Sequence, residues 1–269
     1  MFNLLKADFY KLKRSKAFWI LNAVAIAMDV ISVIAVKISA GRLASDPNVP
    51  DATQAQLSAM GKSASGVWMM VTQLPMISLL VGIFAAIFIT SEFTHGTMKN
   101  ILSKGSQRGK VYSSKFITCG FVSIIMLLVN WVVLAVLGSI VWGFDPQGAA
   151  SASKLAVYCL IMLLLVLSYT AIFTFIAMSI RSNGGTVAIN VIISVMMSTL
   201  LNLINTIVGH NVDLTKYWID GPINSLSSSN AALLSYTSDF IWRAVIVALA
   251  WGAAAIAGGM ILFNKRDVK

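Results

Sequence analysis

The side chains able to do covalent, acid–base or metal chemistry are scarce in this chain: ten carboxylates, two histidines and two cysteines among 269 residues. No H-E-x-x-H zinc motif, no G-x-S-x-G nucleophile elbow and no pair of carboxylates within one apolar run occurs, so the sequence offers no catalytic constellation. Cys119 and Cys159 fall in apolar stretches with no second cysteine or histidine at ligand spacing. Each reads as a small hydrophobe facing a neighbouring helix, and neither a disulfide framework nor a metal site is expected. Gly105-Ser-Gln-Arg-Gly109-Lys110 is the nearest approach to a phosphate-binding loop. It has three residues between its glycines where a Walker loop has four, and Val111 stands where Ser or Thr would hold magnesium. No cofactor is expected on this chain, and any ATP and magnesium would be bound by another one.

One carboxylate stands apart. Asp29 lies inside an apolar run, where an unpaired charge costs roughly 2.5–3.5 kcal/mol on insertion scales, so it needs a partner. It could line a substrate path, or sit close enough to an interface to reach water or Lys37. Asn130, Asn190, Asn202 and Asn205 also lie in apolar runs and are expected to hydrogen-bond between helices. Near the end of the chain Ala250, Ala254 and Gly258 form a stripe, with Ala255 and Gly259 beside it, suited to close helix packing within the subunit or at a dimer seam.

These residues are carried by a chain that is 58% hydrophobic and 11% charged. A soluble domain of this length uses about 25% charged residues to cover its exterior. Lipid supplies the missing solvent. A bilayer core about 30 Å thick requires roughly 20 apolar residues of helix, and six such runs occur, at 17–36, 67–90, 116–142, 155–180, 186–208 and 240–263. Helix is required because lipid offers backbone groups no partners, and the runs lack the alternation of barrel strands. The expected class is an all-α membrane protein with six spans, forming a single transmembrane domain over 1–269. Pro75 falls inside the second run and is expected to kink it.

Six spans place both termini on one side. That side would carry fourteen lysines and arginines, including Lys6, Lys11, Lys13, Arg14, Lys16, Lys99, Arg108, Lys110 and Lys115, against six on the other. The basic side is cytoplasmic by the positive-inside rule. The net charge of +10 then suits anionic lipid head groups and calls for no nucleic acid. In this topology His95 and His210 face opposite sides of the membrane and cannot share a site.

Residues 1–16 place Phe2, Leu5, Phe9 and Leu12 at helical spacing, with Lys6, Lys13 and Arg14 elsewhere. This describes an amphipathic helix in the cytoplasmic interface; the apolar run that follows is too long for a signal peptide. Two outer loops have size. The first, 37–66, contains Asp46-Pro-Asn-Val-Pro50. The second, 209–239, mixes Tyr217, Trp218 and Pro222 with the apolar patch Ala231 to Leu234, and suits short helices at the outer surface, some dipping inward.

The most basic loop, 92–110, is also the most patterned. Phe93, Met98, Ile101 and Leu102 give a short helix one apolar face, and Gly105 ends it. Beyond that amphipathicity, the order Glu92, Gly96, Thr97, Lys99, Leu102, Gly105, Arg108 resembles the E-x-x-x-G-T-x-K-x-x-L-x-x-G-x-x-R signature of the type 2 family of ABC transporter permeases. The likeness is strongest to the small bacterial permeases of antimicrobial-peptide, bacitracin-type and multidrug exporters. The resemblance implies that this loop is a coupling helix docking into a groove on a separate ABC ATPase. Glu92 would start it at a helix N-terminus, with Lys99 and Arg108 facing the ATPase or lipid phosphates. The turn Arg181-Ser-Asn-Gly-Gly185 would be a second contact. It also implies a second permease subunit, identical or related, a bacterial cell membrane location, and outward movement of substrate. The few polar groups in the spans favour a hydrophobic or amphiphilic substrate such as a peptide antibiotic, drug or lipid. A gradient-driven secondary transporter, or an immunity or sensor protein that does not transport, are the competing classes.

Overall fold

The structure, a computed structural model, describes residues 2–44, 74–103, 105–142, 152–208, 214–223 and 238–265. Among these residues every regular element is helical, and six helices are long and apolar enough to cross a membrane. They are α2 (Lys16–Ala44), α3 (Leu74–Thr94), α5 (Arg108–Trp142), α6 (Ala152–Ile180), α7 (Asn183–Val208) and α8 (Ser238–Lys265). Two shorter helices lie at the end where the chain begins: α1 (Phe2–Lys13) and α4 (Thr97–Ser103). The expected all-α, six-span class is what the chain forms. Most of the first outer loop, the part of the second expected span before Leu74, His210 and the patch 231–234 lie outside the described residues. Pro75 stands in the first turn of α3, where it leaves no intrahelical hydrogen bond missing, and not in the helix interior where a kink was expected.

Helices α3 and α6 form the centre. Helix α3 packs against α6 and α7, α6 also against α5 and α8, while α2 lies on α5 and α3. The central helices bury large side chains, among them Phe84, Ile89, Tyr158, Tyr169 and Phe173. Peripheral α2 and α7 expose apolar ones, such as Trp19, Ile31, Ile192 and Ile207, to what would be lipid.

Small residues let the helices approach, and of those expected to do so Ala255 and Gly259 are buried while Ala250 and Ala254 are not. Ala250 and Ala254 are exposed, whereas Ala248, Gly252, Ala255 and Gly259 are buried. Ser168 on α6 donates to Ala248 O at 2.6 Å, and a Cβ on Gly252 would lie 3.3 Å from the Ser168 hydroxyl oxygen. The outward pair belongs to the opposite side of α8, so close packing within the subunit is not its use. At Gly259 an added Cβ would lie 2.7 Å from Cε2 of the buried Tyr112 ring, and closer still to its hydroxyl end. Gly259→Ala is therefore expected to cost about 1–3 kcal/mol through overpacking, read as a lower unfolding midpoint in micelles. Tyr112→Val in the same chain should recover part of the loss. An unchanged midpoint in the single variant would contradict this packing.

At the end away from α1, a 3-10 turn, Leu214–Tyr217, and the residues after it fold back onto the bundle. Trp218, Ile219, Pro222 and Ile223 are buried, as expected for a segment that dips inward. Asn205 Oδ1 accepts from Leu214 N at 3.0 Å, and Trp251 Nε1 donates to Tyr217 O at 2.9 Å. The Asp220 carboxylate accepts from the Tyr169 hydroxyl and, at 3.0 Å, from Trp218 Nε1. Burial raises the carboxyl of Asp220 above its ordinary value, while the two hydrogen bonds pull the other way.

Candidate functional site

Helix α5 is 35 residues long. At 1.5 Å per residue it reaches roughly 50 Å, well beyond a bilayer core. It begins at Arg108 rather than near 116, so its first turns project past the membrane and present Ser114 and Lys115 to the elements gathered there. Helix α3 likewise continues past residue 90 to Thr94, carrying Glu92 in its last turn. Glu92 therefore does not start the short helix at an N-terminus, as the sequence suggested. It is buried, and its partners are cationic side chains.

Those partners form a closed ionic cluster. Lys115 Nζ donates to Asp8 Oδ1 at 2.5 Å and to Glu92 Oε1 at 2.6 Å. Ser114 Oγ donates to Asp8 Oδ2 at 2.6 Å. Lys11 Nζ adds contacts to Glu92 Oε1 at 3.0 Å, Phe88 O at 3.2 Å and Ser91 Oγ at 3.3 Å, and lies 4.6 Å from the centre of the Phe88 ring. Two carboxylates and two ammonium groups thus bind three elements, α1, α3 and α5, across sequence separations of 23 to 107 residues. The Lys115, Asp8 and Glu92 side chains are 2%, 8% and 5% exposed, so salt screens this cluster far less than a surface pair. Glu92 Oε2 is buried with no hydrogen-bond partner, leaving the carboxylate room for one more donor.

The cluster was not foreseen. Lys11 and Lys115 had been counted among cations facing cytoplasm or lipid, and Phe2, Leu5, Phe9 and Leu12 as the apolar side of an interfacial helix. Phe2 is 80% exposed, while Asp8 and Leu12 are buried and Leu4 and Phe9 pack against the core. Asp8 is the sole acidic residue before Asp29 and lies three positions from Lys11 and four from Leu4 and Leu12. That spacing is the one signal that placed it on the buried stripe.

Immediately beyond the cluster, the motif residues form a compact corner. Gly96 (φ 67°) and Gly105 (φ 80°) adopt left-handed backbone on either side of α4, a conformation glycine takes without Cβ strain. Gly105 N donates to Leu102 O at 3.1 Å, so the expected stop is where the helix ends. Met98 is fully buried, with Phe93, Ile101 and Leu102 packed against the core. Thr97, Lys99 and Asn100 point outward. Arg108 is turned to the last helix: its Nη1 donates to Asn264 O at 3.0 Å, satisfying a carbonyl at the end of α8. Its predicted outward direction is thus corrected. The second turn meets the first, since the Arg181 guanidinium lies 5.4 Å from the Phe93 ring centre. Arg181 itself has φ 60°, unusual for a residue with a Cβ.

Asp29 lies far from this corner. It is 1% exposed, and both its oxygens accept from Asn130 Nδ2 on α5, at 2.6 and 2.7 Å. Lys37 is not its partner, being eight residues and so about 12 Å further along the helix. Asn190 donates to Gly82 O at 2.8 Å, which with Asn130 bears out two of the expected interhelical asparagines; Asn205 binds the outer turn and Asn202 is exposed.

A bundle of six long apolar helices with a short helix braced against one end is the frame of a multi-pass membrane protein. The chain matches the profile of the ABC-2 family transporter proteins over residues 4–207, and it belongs to that family. No curated protein matches it. Membership makes it a multi-pass membrane component of an ABC transporter, from a family that is not itself catalytic and that in general implies an ABC ATPase partner.

Proposed function

We propose that the chain is the membrane-spanning half of an ATP-driven exporter, with α4 as the coupling helix and a separate ATPase carrying ATP and magnesium. The observation that supports this most strongly is the coincidence of motif and mechanics. Glu92, first residue of the motif, is the carboxylate through which the end of α3 is fastened to α5 and, by Lys11 and Lys115, to α1. A push on the outward side of α4, at Thr97, Lys99 and Asn100, would reach α3 through the buried Met98 and through Glu92 would carry α5 and α1 with it. Such a rigid linkage suits a transition in which closure of the ATPase tilts spans between two arrangements. Gly96, Leu102 and Gly105 shape the docking helix, and Arg108 fastens it to α8.

In this reading two permease subunits, identical or related, form the pathway, and both termini face the cytoplasm of a bacterial cell. The substrate leaves outward and is hydrophobic or amphiphilic: a peptide antibiotic, a drug or a lipid. Exposed Lys99 provides the test, because it can be changed without touching the core. Wild-type permease purified from native membranes is expected to bring an ATPase chain and ATP hydrolysis with it. Lys99→Glu should reduce the recovered hydrolysis about tenfold while leaving the unfolding midpoint unchanged. Absence of an ATPase from the wild-type preparation would overturn the reading. Orientation is checked separately in a chain with Cys119 and Cys159 replaced by serine. An impermeant maleimide on intact cells should label Lys216→Cys and spare Ser103→Cys, and the reverse would invert the topology.

A further inference from the structure

The geometry points to Asp29 and Asn130 as a binding point, inside the membrane, for the protonated amine of an amphiphilic substrate, an inference that rests on the export reading above. The pair is rich in acceptors and poor in donors. A single amide nitrogen serves both carboxylate oxygens, and Asn130 Oδ1, on a side chain 2% exposed, has no hydrogen-bond partner. Among the described residues no cation is in ion-pair contact with Asp29; the ion pairs all belong to the cluster on Glu92 and Asp8. Asn130 supplies dipoles but no positive charge. A primary ammonium carries three N–H donors and one charge, and so answers both deficits at once.

Its position fits an amphiphile. Asp29 lies near the middle of the apolar stretch of α2, Lys16–Ser39. Towards the N-terminus of α2 the main core reaches Ala25; beyond the pair, Val33 and Leu134 form a separate apolar cluster with Val36, Leu137 and Val141. The pair marks the break between the two clusters, where α2 could part from α5 with less apolar contact to lose than within either. An apolar tail would follow the α2–α5 seam while the amine stays at the carboxylate. A divalent metal is a poorer occupant, since no group of three or more His, Cys, Asp or Glu is found among the described residues and hard cations take six to eight oxygens.

The full chain in neutral-lipid nanodiscs, without any ATPase, tests this with three ten-carbon probes: decylamine, decanol and decyl sulfate. Decylamine alone is expected to raise the unfolding midpoint saturably. Asp29→Asn, which keeps the shape and can still pair with Asn130, should weaken that binding roughly ten- to hundredfold. Asn130→Asp should tighten it, a gain that misfolding cannot imitate. Equal binding of decylamine by wild type and both variants, equal stabilisation by all three probes, or stabilisation by sodium ions that depends on Asp29 would each overturn the assignment. Because no ATPase is present, failure here leaves the coupling reading standing, and failure of ATPase recovery leaves this one to be judged by itself.

Discussion

Lys115→Met is expected to lower the stability of the folded bundle by about 3–5 kcal/mol, because it leaves the buried Asp8 carboxylate without a cation and the buried Glu92 with Lys11 alone. Lys115 contacts both Asp8 and Glu92, and all three side chains are almost fully enclosed. Lys11, with a side chain 39% exposed, can compensate little: it reaches Glu92 alone. Lys11→Met should for the same reason cost under about 1 kcal/mol, the range of solvated pairs. The cost of removing one partner differs from the worth of the cluster. The triple variant Asp8→Leu, Glu92→Met, Lys115→Met removes every buried charge together and should recover most of the loss, since ion clusters and apolar groups of similar volume are often of equal stability. Unfolding midpoints in detergent micelles read all three. A Lys115→Met protein within 1 kcal/mol of wild type would mean that the cluster is hydrated in the folded state.

The six spans were legible because lipid imposes one rule on every residue of a run, independent of what the rest of the chain does. The C-terminal end of α4 was legible for a similarly local reason, though its start was not: a glycine at Gly105 can take the left-handed turn that stops a helix, and four apolar residues at helical spacing declare a face. Partners were not legible. Lys115 sits at the edge of an apolar run, where its type and position suit a solvated cation under a membrane, and its contact with Asp8 spans 107 residues. Nothing local distinguishes a lysine that snorkels to lipid from one that closes an ionic cluster. Arg108 was misjudged in the same way, since its motif position implied an outward role while the end of α8 offered an unsatisfied carbonyl. The small residues of α8 were legible but the face each serves was not: Ala250 and Ala254 are as small as Ala248 and Gly252, and the face packed within the subunit was chosen by Ser168 and Tyr112 on neighbouring helices. Asp29 stood out by the rarity of carboxylates in spans, yet its partner on α5 had to be seen.

Glu92→Gln should separate ATP hydrolysis from transport in the assembled transporter. The variant leaves Lys115 paired with Asp8, so α1 and α5 stay joined and the fold should persist with a smaller loss than Lys115→Met. What it removes is the charge that fastens the end of α3, next to α4, to both lysines. If force from the ATPase enters at α4, the weakened joint should let α3 move without α5. Hydrolysis is then expected to stay within a factor of about two, while substrate moved per ATP falls about tenfold or more, equivalent to about 1.4 kcal/mol of lost coupling. Asp8→Asn provides the contrast, because it weakens the tie of α1 to α5 but keeps the α3–α5 tie and the Lys11–Glu92 contact, and it should cost transport less than Glu92→Gln. Reconstituted vesicles with hydrolysis and substrate accumulation measured on the same preparation decide the matter. Parallel loss of both activities in Glu92→Gln would assign the carboxylate to docking of the ATPase, and an Asp8→Asn defect equal to it would place the transmitting joint at α1.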